Sequence, residues 1–303
     1  VDIGIGVGDA FGPGGSVDDF VASVARMKDL GFPAVWTAQI FNLDALTALA
    51  VAGAQVPDVR LGVGVVPTYP RHPLALAMQA LTVQSATGGR LDLGIGLSHQ
   101  MVIEGMFGYS YDKPARHMRE YLDALRPALR GEPVSVEGET LTARGGVSVP
   151  GAVAPPVLVA ALGTVMLKVA AELADGTVTW MTGIRTIGDH IAPTITAAAE
   201  AAGRPAPRVV VGLPFCVTDD IEGARARAGE TFAVYGMLPS YRAMLDREGI
   251  DGPPELSVVG DPAVIEAAIR GVEDAGGTEV IAVPFGTPEE YERTVEVLAD
   301  LAR

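Results

Sequence analysis

Short apolar runs alternate with amphipathic stretches along the whole chain. The run Ile3–Val7 leads into a helix from Ser16 to about Leu30, with Val17, Phe20, Val21, Val24 and Met27 on one face. Ser16 and Asp19 have capping-box spacing, and Gly31 closes that helix. Ala34–Ala38 precedes a helix near Asp44–Gln55, and Arg60–Val65 precedes one that starts at Pro73 and ends at Gly88-Gly89. Leu91–Gly96 is followed by a long loop and the helix Pro114–Leu129. Pro156–Leu162 precedes a helix near Val165–Ala174, Thr177–Met181 precedes Ile187–Ala202, and Arg208–Phe215 precedes Ile221–Tyr235. Glu279–Phe285 precedes a helix whose N-cap is Thr287, with Pro288 at its first position and Glu290 completing the box.

That is eight strand–helix units. The strands are continuously apolar, as expected when both faces of a parallel sheet are covered. Two insertions interrupt the rhythm: Glu132–Gly146, a short hairpin after the fourth helix, and Gly236–Pro262, extra helix and loop after the seventh. A further helix follows near Ala263–Ala275. The pattern predicts one α/β domain over residues 1–303, a (β/α)₈ TIM barrel, with a doubly wound sheet as the alternative.

Composition narrows the partners. The chain has 303 residues, 49% hydrophobic and 19% charged, which suits a soluble globular fold with a sizeable core. A net charge of −15 argues against nucleic acid and against an anionic membrane surface. The opening VDIGIGVG carries no basic leader, and the charge-free run from Gly145 to Leu167 is broken by three prolines, so neither a secretory signal nor a membrane span is expected. One cysteine, Cys216, excludes an internal disulfide and points to the cytoplasm.

Glycines gather where barrel chemistry belongs, toward the carboxyl ends of strands. Gly4, Gly6 and Gly8 share a face of the first strand, Gly62 and Gly64 of the third, and Gly94 and Gly96 of the fourth. Two readings follow: a hollow mouth of bare backbone for a large planar ligand, or tight packing inside the barrel. The third strand then turns through the polar segment PTYPRHP, Pro67–Pro73. A Rossmann reading of the first turn fails, because Phe11 stands where the third glycine belongs and the second strand ends in Thr37-Ala38-Gln39 without an acid. Ala161–Thr164 runs from the fifth strand straight into a helix, a junction whose free N–H groups suit a phosphate.

The four histidines have no metal-ligand spacing, so no metal is expected. His99 follows GIGLS at a strand end, where either a catalytic or a structural role fits; His72 starts a helix and reads as a cap. His117 and His190 read as solvated or helix-terminal.

The segment Arg60–His99, RLGVGVVPTYPRHPLALAMQALTVQSATGGRLDLGIGLSH, resembles the luciferase-like monooxygenase superfamily, and within it the coenzyme F420-dependent oxidoreductases of actinobacteria. Pro156–Gly183 resembles the fifth and sixth units of the same family, and the Arg-His-Pro, Gly-Gly-Arg and Ala-Asp-Gly landmarks fall in family order. The resemblance implies a non-proline cis peptide at Gly64–Val65 in a bulge that supports the deazaflavin ring, with Gly96, Leu97 and Ser98 flanking it. Amides of the Ala161, Leu162, Gly163, Thr164, Val165 segment would hold its phosphate.

One departure stands out. Gln39 and Ile40 occupy the place where many F420 enzymes carry Asp-His. Gln39 can hydrogen-bond a ring carbonyl but cannot supply a proton. The proton would come from His99, Tyr69, Glu104 or solvent. The function implied is hydride transfer between F420 and a small organic substrate by a homodimer. The rivals are an FMN-dependent monooxygenase, a non-catalytic flavin-binding protein of the same fold, and an unrelated barrel lyase or isomerase. Against the last, Lys28 and Lys168 lie within helices and Lys113 in a loop, so no Schiff-base lysine stands out. Met106–Pro114 and Gly236–Pro254 are long enough to act as lids.

Overall fold

The apolar runs pair side by side as parallel strands, as continuous burial requires. The computed structural model describes residues 1–8 and 15–303, so Phe11 of the rejected dinucleotide pattern lies outside the described residues. The strands are β1 (Asp2–Gly6), β2 (Ala34–Thr37), β3 (Arg60–Pro67), β4 (Leu91–Gly96), β5 (Val134–Glu137), β6 (Thr142–Gly145), β7 (Val157–Val159), β8 (Gly176–Trp180), β9 (Arg208–Val217), β10 (Val258–Gly260) and β11 (Glu279–Pro284). Hydrogen bonding runs β1-β2-β3-β4-β7-β8-β9-β11 and returns to β1, all parallel, which closes an eight-stranded barrel. Closure removes the doubly wound alternative. The β5–β6 pair is the expected hairpin.

The punctuation in the sequence sets the helix ends. Asp19 N donates to Ser16 Oγ at 3.2 Å while Ser16 N donates to Asp19 Oδ2 at 2.8 Å. Thr287 and Glu290 repeat the arrangement at the last helix. Gly88 ends the helix Pro73–Thr87 with φ of 67°, a left-handed conformation that glycine adopts at little cost.

Several expectations need correction. The loop after β4 contains a helix, Gln100–Gly105. The helix expected from Ile187 begins at Ile184 and passes through a π turn, Ile187–Ile191, before Ala192–Ala201. Pro193 has no N–H to continue the ordinary ladder there. The helix expected over Ile221–Tyr235 is broken at Phe232, which turns into the core against Trp180 and Phe285. The second insertion holds the extra strand β10, which pairs with Phe215, Cys216 and Val217 of β9. Because β11 reaches only to Phe215, β10 covers the part of the β9 ladder left open beyond it.

Inside the barrel lies a separate apolar layer of Ala34, Trp36, Leu158, Val178, Val210, Ile281 and Val283. Trp36 accounts for two of the glycines. A Cβ at Gly62 would stand 2.2 Å from its ring, and one at Gly4 would stand 2.9 Å away. At these two positions the tight-packing reading holds, and the mouth is not hollowed by them. Trp36 Nε1 donates to buried Glu279 Oε1 at 2.8 Å. Glu279 and Asp92 are joined there by Arg208 and Arg60, an ion-pair network that plugs the amino-terminal end of the barrel. Among the described residues, no helix is long and apolar enough to cross a membrane.

Candidate functional site

The carboxyl end of β3 is built around a bulge. Val63 pairs with Leu93 and Val66 with Ile95, so Gly64 and Val65 together stand against Gly94. The Gly64–Val65 peptide is cis. The glycines of β4 give the bulge its space. A Cβ at Gly94 would meet the Val63 carbonyl oxygen at 2.2 Å, and one at Gly96 would meet Val65 Cγ2 at 2.6 Å. At Gly64 the nearest atoms would be Val178 Cγ2 at 3.7 Å and the Trp36 ring at 3.8 Å, so that position faces down into the barrel. Val65, half-buried over the apolar layer, is the floor of the mouth.

The turn after β3 supplies one wall. Tyr69 stacks on His117 with ring centroids 4.0 Å apart and planes within 4°, and lies 5.3 Å from Tyr111. His117 is buried, not solvated as expected, and its Nε2 lies 3.1 Å from Thr68 Oγ1. Burial lowers its pKa to about 4, despite the opposing charge of Glu120, and keeps the ring neutral. The usable sequence signal was its spacing of four from Tyr121, on the apolar stripe of the helix Pro114–Leu129. The Tyr69 hydroxyl is buried and has no hydrogen-bond partner among the described residues. Burial, then the neighbouring acids Tyr111, Asp112 and Glu104, push its pKa up to about 12. Tyr111 donates to the carbonyl of Ser98 at 3.1 Å, and Ser98 holds a left-handed φ of 59°.

The opposite wall comes from the ends of β4 and β8 and from the second insertion. His99 lies 5.8 Å from Tyr241, Tyr241 lies 5.0 Å from Tyr235, and Tyr235 meets Trp180 edge-on at 5.9 Å. Tyr241 sits on the helix Pro239–Glu248. Burial lowers the pKa of His99 and raises those of Tyr235 and Tyr241, so all three are neutral near pH 7. Sequence reasoning missed the two tyrosines, because Tyr235 lies just before the insertion, Tyr241 lies within it, and nothing in the pattern says where that segment folds back.

Two of the candidate proton donors or ring partners are engaged elsewhere. Gln39 Oε1 accepts from Ala45 N at 2.8 Å and its Nε2 donates to the Ile40 carbonyl at 3.3 Å, which holds the start of the helix Ala45–Gln55. Glu104 is exposed and accepts from Gln100 Nε2 at 3.0 Å and Tyr111 N at 3.3 Å, closing its own loop. His72 caps its helix as expected, its Nδ1 accepting from Leu74 N at 3.3 Å.

Beyond β7 the helix Thr164–Leu173 begins at Gly163 without a side-chain cap. Gly163, Thr164 and Val165 are exposed, Leu162 is half-buried and Ala161 is buried. A Cβ at Gly163 would meet nothing within 4 Å. The first N–H groups of the helix are therefore open to an anion. His190 is buried as well, correcting its expected exposure, and its Nε2 donates to the Leu162 carbonyl at 2.8 Å, steadying this turn.

These features fit the cofactor that the resemblance implies. A flat aromatic ring has an apolar floor at Val65 with the Leu97 and Ser98 backbone beside it, and an unpartnered hydroxyl at Tyr69. A phosphate has an open helix start at 163–165. Among the described residues no group of three or more His, Cys, Asp or Glu could hold a metal ion.

Residues 4–302 match the protein family described as luciferase-like monooxygenase. The Mycobacterium tuberculosis protein Rv3520c, whose name assigns it provisionally to the coenzyme F420-dependent oxidoreductases, is 37% identical over 167 residues. That match covers 50% of this chain and 48% of the relative, so it spans about half of each. The solved coenzyme F420-dependent tetrahydromethanopterin reductase from Methanopyrus kandleri superposes with a TM-score of 0.80 at 23% identity, covering 99% of this chain and 97% of that one. The oxygenating constituent of 3,6-diketocamphane monooxygenase from Pseudomonas putida, in complex with FMN, superposes with a TM-score of 0.77 at 18% identity, covering 98% and 96%. At these identities the two structures establish the shared fold.

Proposed function

This chain belongs to the luciferase-like monooxygenase family, and on that premise we propose that it is an F420-dependent oxidoreductase acting on a small organic substrate. The observation that carries the proposal is the β3 bulge, with Val65 raised into the space left by Gly94 and Gly96. It makes an apolar shelf at the bottom of a barrel mouth whose histidine and tyrosine walls are neutral. The 37% identity to a protein named for F420 dependence supports the same choice of cofactor.

The bound deazaflavin would supply the two electrons as hydride. The chain's own residues do the rest. Val65, with Gly64 behind it and Gly96, Leu97 and Ser98 beside it, supports the ring. The amides from Ala161 and Leu162 through Gly163, Thr164 and Val165 bind the phosphate. Tyr69 and His99 are the groups placed to hold or move a proton, and Tyr69 has its hydroxyl free to do so. Gln39 and Glu104 act indirectly, by fixing the loops that frame the mouth. The compartment we propose is the cytoplasm, where the single buried cysteine, Cys216, would stay reduced.

The second reading is FMN-dependent oxygenation, favoured by the likeness to a structure that holds FMN. Titration of the purified protein with each cofactor, followed by Trp180 fluorescence and ligand emission, decides between them. Saturable F420 binding with FMN at least tenfold weaker supports hydride transfer. Tight FMN binding without F420 binding rejects it in favour of oxygenation. Binding of neither rejects both.

A further inference from the structure

Thirteen large apolar side chains stand exposed among the described residues, and six of them lie on only two loops. Ile40 and Phe41 follow β2; Met101, Met106, Phe107 and Tyr109 follow β4. Since β3 lies between β2 and β4 in the barrel, these loops flank the bulge. They also meet: Phe41 stacks on Phe107 with centroids 6.2 Å apart, and Phe107 stacks on Tyr109 at 6.5 Å. An apolar surface of this extent confined to one rim marks a binding face.

Charge narrows what it binds. Near the rim the cations are paired, Arg71 with Asp44 and Lys113 with Glu139, whereas Glu104 and Asp112 accept only from the neutral Gln100, Tyr111 amide and Ser110 and keep their negative charge. Inside the mouth, burial keeps His99 and the phenols of Tyr69, Tyr111, Tyr235 and Tyr241 uncharged. Among the described residues an anionic substrate would lose its hydration here without gaining an unpaired cation, and would meet the Glu104 and Asp112 carboxylates.

From the aromatic bridge and this lack of an unpaired cation, we infer that the substrate is a largely apolar ring compound without an anionic group, seated under Phe41 and Phe107. The inference rests on the reading of the barrel mouth as the substrate site. It separates this chain's substrate from carboxylated or phosphorylated ones.

The test is calorimetric binding of two probes of similar size, 1-tetralone and 2-naphthoate, to the protein with and without saturating F420. Tetralone is expected to bind at least tenfold tighter than naphthoate. Phe41→Ala and Phe107→Ala should each weaken tetralone binding about five- to tenfold, the scale of a lost aromatic contact. Melting temperature and F420 affinity should not move. Naphthoate binding as tightly as tetralone, no tetralone binding, or unchanged tetralone affinity in both variants overturns the inference. So does a change of molecular mass in solution caused by either variant, which would make the rim a contact between two copies. A cofactor-free protein that keeps the tetralone preference but binds no F420 would instead sink the proposed cofactor and leave the substrate class standing.

Discussion

Val65 occupies the space that a side chain at residue 96 would need: a Cβ on Gly96 would stand 2.6 Å from Val65 Cγ2 and 3.2 Å from Ala160 Cβ. Valine is stiff about its first torsion and sits here on a bulge, so it cannot swing aside cheaply. Gly96→Ala should therefore cost about 1–3 kcal/mol in urea unfolding, the usual range for overpacking, and reduce F420 affinity at least about tenfold. Adding Val65→Ala removes the offending methyl and should restore most of the stability. A double variant no more stable than the sum of its parts would show that the two positions do not share this space.

Tyr69 separates stability from activity. Its hydroxyl is buried without a partner among the described residues, a state that costs about 1–3 kcal/mol in a folded protein. Tyr69→Phe should thus leave the melting temperature equal or higher, since the ring keeps its stack on His117. If the hydroxyl is the proton donor, turnover with F420 should fall about a hundredfold or more. Unchanged turnover would pass the role to His99 or to water.

The elements most legible in the sequence were those bounded by glycine or proline. Leu91–Gly96 and Pro114–Leu129 were read to the residue, and both capping boxes form where the side chains demanded them. What the pattern could not show depends on neighbours distant along the chain. Gly62 is bare because Trp36 fills the barrel beside it, and no local spacing records that pairing. His117 and His190 carry polar rings on helices, and only packing tells a buried one from a solvated one. β10 is three residues long, too short for periodicity to register. At the candidate site, the helix start at Thr164 was legible from the Ala161–Thr164 junction itself, and the cis bulge through family resemblance. The Tyr235–Tyr241–His99 wall was not, since it joins an insertion to a strand end more than a hundred residues away.

Acid should loosen the Tyr69–His117 stack. Burial holds the folded pKa of His117 at about 4, against an ordinary 6.5. Between those values the unfolded chain binds a proton there that the folded chain refuses, so stability falls as the pH drops through that window. His99, shifted in the same direction, adds to the loss. His117→Gln keeps a partner for Thr68 but does not titrate. Its stability should fall less between pH 7 and pH 4.5 than that of the unsubstituted protein, measured by urea midpoints. Parallel pH profiles would mean that His117 does not govern this loss.

Thr164 offers the sharpest contrast between folding and cofactor binding. It is the exposed first residue of a helix that carries no acidic side chain in its first turn. Glutamate there would meet the positive end of the helix dipole and should stabilise the protein slightly, by about 0.3–1 kcal/mol at low salt. The same carboxylate would occupy the N–H groups proposed for the phosphate and repel that anion. Thr164→Glu should therefore hold or raise the melting temperature while weakening F420 binding at least about tenfold, with the loss shrinking as salt screens the repulsion. Thr164→Gln, of the same size without the charge, should bind F420 more tightly than the glutamate variant. Equal F420 affinity in Thr164→Glu and the unsubstituted protein would place the phosphate elsewhere and remove this helix start from the site.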